Sequence, residues 1–138
     1  MSAKDKFHDV VKDALKDDGW RVTHDQFPLN IGGVEMYIDL AAEPLIAAEK
    51  EDKKIAVEVK SFIQPSKISE FHAAVGQFMN YRRALHQEDP ERHLYLAVPS
   101  HVYRTFFSLA FIQESVEEYQ LHLVIYDINT KAVVEWKR

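Results

Sequence analysis

At 138 residues, 46% hydrophobic and 12% aromatic, the chain can bury a sizeable core but is short for two, so one domain spanning 1–138 is expected. The absence of cysteine excludes disulfides and thiolate-rich zinc sites and allows a reducing, cytoplasmic compartment. A net charge of −5, from 17 Lys plus Arg against 22 Asp plus Glu, opposes an unaided, sequence-independent grip on nucleic acid, which depends on neutralising phosphates.

Apolar runs are short and broken by charge, which excludes a spanning helix, and Lys4, Asp5, Lys6 and Asp9 stand where a secretory signal would place apolar residues. Phe7, Val10, Val11, Ala14 and Leu15 recur at helical spacing and Gly19 supplies a stop, so 4–18 is expected to be an amphipathic helix covering a sheet. Residues 20–29 and 34–40 are expected to be strands joined by a hairpin loop at Asn30, Ile31, Gly32 and Gly33. In the second of them Val34, Met36, Ile38 and Leu40 face one way, and Asp39 stands opposite, at the C-terminal end.

Leu45 to Glu49 fits a strand or a short helix, and the charged run Lys50 to Lys54 fits a turn before a strand at 55–60, the simplest connection being a β-meander. Phe71, Ala74, Val75, Phe78 and Leu85 predict a long helix over 69–87, followed by a strand at 93–98 that stops at Pro99. Helices at 100–107 and 110–119 and a strand pair at 121–127 and 132–136 complete the pattern. The second of these helices carries Phe111, Ile112, Ser115, Val116 and Tyr119 on one stripe. The order of elements indicates an α/β sheet with helices packed on its faces. The aromatic run Phe106, Phe107, Leu109, Phe111 and Ile112 fits core or interface equally.

Chemistry concentrates at Asp39, Glu58 and Lys60. Glu58 and Lys60 flank Val59 and project from one face of their strand, leaving Val59 free to be buried on the other. If the Asp39 strand lies beside this one, two carboxylates meet, and like charges that close resist ionising unless a cation neutralises them. A hard divalent ion held by Asp39, Glu58 and the Val59 carbonyl answers that need, with Lys60 set to stabilise charge on a phosphate. The bland alternative is a polar sheet face on which Lys60 simply pairs with Glu58.

Gln77 and Tyr81, four apart, share a helix face distinct from the stripe of Phe78 and Leu85, and either contact phosphate, orient Lys60 or pack against the sheet edge. Asp9 is expected to be solvated rather than a ligand. Arg82, Arg83, His86, Arg92 and His93 form the clearest basic concentration, expected to be a solvated surface. The seven histidines form no zinc set. No phosphate-binding loop, dinucleotide fingerprint or nucleophile elbow is found, which leaves metal-assisted hydrolysis or no catalysis.

Asp39, then Glu58, Val59 and Lys60, then Gln77 and Tyr81 on the following helix, resemble the PD-(D/E)xK nuclease superfamily. Ile38 stands where that pattern often carries proline. The whole chain is similar to the XisH family, the fdxN-element excision controlling factors of cyanobacteria. The similarity rests on Lys4 to His8, Ile38 to Glu43, Leu45 to Lys50, Ile55 to Phe62, Gly76 to Arg82, Leu94 to Pro99 and Leu123 to Asp127. The resemblance implies a restriction endonuclease-like αβββαβ core, a mixed central sheet flanked by helices. It further implies Mg2+ or Mn2+ as cofactor and Asp39, Glu58, Lys60, Gln77 and Tyr81 as site residues. The biological role it implies is control of DNA element excision during heterocyst differentiation, with a site-specific recombinase and the companion factor XisI as partners. Two functions follow as expectations. One is a metal-dependent endonuclease, for which a homodimer places one site on each DNA strand. The other is a catalytically silent nuclease-fold regulator that binds DNA or partner proteins, which the acidic surface favours.

Overall fold

The computed structural model describes residues 3–138, with side chains from Lys6 onward. The charges predicted at Lys4 and Asp5 lie outside the described side chains. The chain begins with helix α1 (Ala3–Asp17), whose periodic apolar residues Phe7, Val10, Val11, Ala14 and Leu15 are all buried, as their spacing predicts. Strands β1 (Trp20–His24), β2 (Phe27–Ile31), β3 (Val34–Ile38), β4 (Leu40–Pro44) and β5 (Lys54–Val59) follow. Then come the long helix α2 (Lys67–Glu88), strand β6 (Arg92–Pro99), helices α3 (Ser100–Thr105) and α4 (Ala110–Glu118), and strands β7 (Leu123–Asp127) and β8 (Ala132–Lys137). Single 3-10 turns occupy Ala47–Glu49 and Phe106–Ser108. No helix among the described residues is long and apolar enough to cross a membrane.

Six strands form one mixed sheet in the order β1-β4-β5-β6-β7-β8, parallel across β5, β6 and β7 and antiparallel elsewhere. The long crossover needed between the parallel strands β5 and β6 contains α2. The antiparallel neighbours β4 and β5 make the predicted meander step into β5, but β1 joins β4 only after the chain has made β2 and β3. The expected strand 20–29 breaks at Asp25 and Gln26, and β2 and β3 leave the main sheet as a separate antiparallel pair. The apolar alternation of Val34, Met36, Ile38 and Leu40 runs unbroken from β3 into β4, which is why period alone does not reveal that these strands belong to different sheets. Gly32 and Gly33, with φ of +56° and +83°, make the two-residue turn between Ile31 and Val34, the geometry that matches a twisted hairpin.

The two faces of the main sheet carry separate cores. Under α1 lie Leu40, Ala42, Ile55, Val57, Val59, Tyr95, Ala97, Val124 and Tyr126, closed at the rim by Trp20 against Trp136 of β8, their rings 5.6 Å apart. The Trp136 indole also donates to Asp18 Oδ2 at 3.0 Å. On the opposite face, Phe71, Phe78, Ala84 and Leu85 of α2 pack with Ala56, Leu94, Leu96 and Val98, with Leu29 and Ile38 of the hairpin, and with Phe107 and Ile112. The aromatic run beyond β6 is thus divided, since Phe107 and Ile112 are core while Leu109 is exposed and Phe111 is 66% exposed. On the central strand β5, alternation sends Ile55, Val57 and Val59 toward α1 and Ala56 and Glu58 toward α2.

Ser66 caps α2, its hydroxyl accepting from the Ser69 backbone N–H at 3.3 Å. Ser66→Ala is expected to lower stability by about 1 kcal/mol, read as a reduced urea midpoint at unchanged slope. An unchanged midpoint would show that the cap contributes nothing here.

Candidate carboxylate and lysine site

Asp39 does not end a strand, as the sequence suggested, but occupies the bend between β3 and β4. The correction has a local cause: the hairpin leaves the main sheet at Ile38 and the chain rejoins it at Leu40. Leu40 pairs with Val57 in the antiparallel β4–β5 ladder, so Asp39 arrives opposite Glu58. Each acid's side chain then accepts a backbone N–H from the other segment. The Asp39 N–H donates to Glu58 Oε1 at 3.1 Å, and the Val59 N–H donates to Asp39 Oδ2 at 2.8 Å.

Lys60 leaves the end of β5 with its backbone fixed on both sides. Its N–H donates to the Ala97 carbonyl at 2.9 Å and its own carbonyl accepts from the Tyr126 hydroxyl at 3.2 Å. Its ammonium lies 3.6 Å from Glu58 Oε2 and donates to Gln77 Oε1 on α2. Glu58, Lys60 and Gln77 therefore form one chain of side-chain contacts, and backbone N–H bonds tie Asp39 to it.

Tyr81 converges with them only through the field. It is 9% exposed and belongs to the same apolar cluster as Phe78 and Leu85, so the expectation that it stands on a separate helix face is overturned. Residues 78, 81 and 85 follow the three-and-four spacing of a single stripe. Burial first, then the charges of Glu58 and Asp39, push the Tyr81 phenol up to about 12.

Glu58 is 7% exposed. Burial, and next the negative charge of Asp39, push its carboxyl up to about 7, against the opposing pull of Lys60. Two adjoining acids that resist joint ionisation form a donor set suited to a divalent cation. Among the described residues no group of three or more His, Cys, Asp or Glu converges. The protein thus offers two carboxylates at this bend, a small oxygen donor set of the kind accepted by an ion that keeps several waters.

Asp39, Val59 and Lys60 open onto a cleft of about 730 Å3, whereas Glu58, Gln77 and Tyr81 are not part of its lining. Facing them are residues that sequence reasoning missed, chiefly His8 of α1 and Asp25 of the β1–β2 break. His8 Nε2 lies 2.8 Å from Asp25 Oδ1, and Lys12 Nζ donates to Asp25 Oδ2 at 2.9 Å. Burial raises Asp25, but the bonds from Lys12 and His8 prevail and hold its carboxyl below the usual range. No local spacing signals this cluster, because its members come from separate elements. Asp9 is exposed, as expected. The basic stretch is not simply solvated: Arg92 is buried, with Nε 3.0 Å from Asp89 Oδ2 and its guanidinium over the Phe27 ring.

These features define a mixed α/β protein with a half-hidden carboxylate pair and a tethered lysine at neighbouring strand ends. A family model described as XisH protein matches residues 1–134, and the chain belongs to the XisH family. It is 48% identical to an XisH family protein from Nostoc punctiforme of known crystal structure, with a TM-score of 0.88 and coverage of 96% of this chain and 99% of that one. It is 47% identical to a fdxN element excision controlling factor protein from Anabaena variabilis, with a TM-score of 0.89 and coverage of 97% and 99%. No curated protein matches the chain.

Proposed function

We propose that this protein is a controlling factor for excision of a DNA element, the role named for its Anabaena variabilis relative. We further propose that Asp39, Glu58 and Lys60 form a PD-(D/E)xK-type site for cleaving DNA phosphodiesters. The observation that carries the second statement is that backbone N–H bonds from Asp39 to Glu58 and from Val59 to Asp39 hold the two carboxylates beside the Lys60 ammonium. The order α1, the antiparallel trio β1, β4 and β5, α2 and then β6 supports assigning the αβββαβ core to one domain over 1–138.

Asp39, Glu58 and the Val59 carbonyl would hold Mg2+ or Mn2+, which supplies Lewis acidity toward phosphate and an acidified water. Gln77 fixes the Lys60 ammonium so that it meets charge developing on the phosphate without reorganising. Tyr81 keeps its proton at neutral pH and seals the apolar side of the pair. Partners on this reading are DNA, a site-specific recombinase, the companion factor XisI and a second copy of the chain, within the cytoplasm.

The alternative is a silent nuclease-fold regulator, favoured by the net charge of −5. Plasmid nicking with Mn2+ or Mg2+ separates the two: cleavage lost in Asp39→Ala with Glu58→Ala supports the enzyme, and inert wild type rejects it. Excision in cells rescued by that double variant supports the regulator, and loss of excision with folding intact counts against it.

A further inference from the structure

Away from the carboxylate pair, α2, β6 and the link from α4 to β7 enclose a second cavity of about 400 Å3. Its polar lining consists of Arg82, His86, Arg92, His93, Gln120 and His122, with no carboxylate among them. Register places it at the far end of the sheet. Arg92 is paired with Lys54 and Leu96 with Glu58, a difference of four residues, or roughly 13 Å along the strands.

Charge is unevenly compensated there. Arg92 is bonded to Asp89 and to the Ile55 carbonyl, and His93 Nδ1 lies 2.7 Å from Asp52 Oδ1, so those two are already partnered. Arg82 is not. Its Nη1 donates to the Tyr119 and Gln120 carbonyls at 3.0 and 2.9 Å and its Nη2 to Met79 Sδ, so every acceptor bonded to it is neutral. His122 registers the result: burial, then the positive charges of His93 and Arg82, hold its imidazole below the usual range despite Asp52.

We propose that this cavity binds a phosphate group, carried either by the DNA backbone or by a small phosphorylated molecule. Donors converge on it from three elements, which suits a tetrahedral oxyanion, and a guanidinium without an anionic partner supplies a strong charge-assisted bond. In an acidic protein, a cavity without carboxylates is where an anion meets least repulsion. The proposal does not depend on cleavage at Asp39 and Glu58, and it stands if that site is silent.

The test follows the imidazole NMR signals of His86, His93 and His122 during titration with inorganic phosphate, with chloride at matched ionic strength as control and no divalent metal present. Saturable shifts specific to phosphate are expected, with the His122 titration midpoint rising by about one pH unit when phosphate is bound. Arg82→Gln is expected to weaken phosphate binding about tenfold or more. Because Arg82 also holds the end of α4, the exposed His86→Ala carries the decision if Arg82→Gln fails to fold, and a severalfold loss is expected. A duplex oligonucleotide that shifts the same signals and is displaced by phosphate assigns the DNA backbone, while phosphate binding without a duplex response assigns a small ligand. Shifts reproduced by chloride, or His86→Ala binding phosphate as tightly as wild type, would overturn the proposal.

Discussion

Lys60→Ala is expected to reduce metal-dependent plasmid nicking by about two to three orders of magnitude, the usual cost of deleting one preorganised group aimed at transition-state charge. The ammonium is held by Gln77 and lies 3.6 Å from Glu58 Oε2, so its position is set before substrate arrives. The loss should therefore fall on kcat more than on KM for DNA. Gln77→Ala, which leaves the charge but removes its tether, should lose less. Nicking by Lys60→Ala at the wild-type rate would remove the lysine from any catalytic role.

Metal-free stability should decline between pH 4.5 and 7 because of Glu58. Its folded carboxyl is pushed up to about 7 from an ordinary value of 4.5, so in this window the folded protein holds a proton that the unfolded chain has lost. The stabilisation is complete below the lower value and is lost as pH rises through the higher one, a total of roughly 3 kcal/mol. Melting curves in EDTA from pH 5 to 8 should show the decline in wild type and a flatter profile in Glu58→Gln. On the proposed metal site, saturating Mn2+ should flatten the wild-type profile as well, by binding the ionised pair. Identical slopes for wild type and Glu58→Gln would locate the titration elsewhere.

What the sequence makes legible follows physical range. The helices at 4–18 and 69–87 are visible because their apolar residues recur every three or four positions, and both occur with ends shifted by one or two residues. Glu58 and Lys60 are visible as a pair because strand alternation is local. The placement of Asp39 is only half legible. Its partnership with Glu58 is anticipated, but the bend that delivers it arises from β2 and β3 leaving the main sheet, a choice made by tertiary packing against α2. Tyr81 is misassigned because a phenol satisfies both a polar and an apolar pattern. His8 with Asp25, and Arg82 with His122, are invisible, since each pair joins residues 17 or more positions apart with no shared period.

The rim closed by Trp20 and Trp136 bears on how the protein is made. A helix formed among the earliest residues finds its last wall in the final strand, 118 positions beyond Asp18. During translation the apolar stripe of that helix therefore stays open at this rim until Trp136 has left the ribosome. Such long-range closure slows folding and lengthens exposure to chaperones and to aggregation. Synthesis stalled before Ala132 should yield a product recognised as misfolded, even with every residue of the carboxylate site already present.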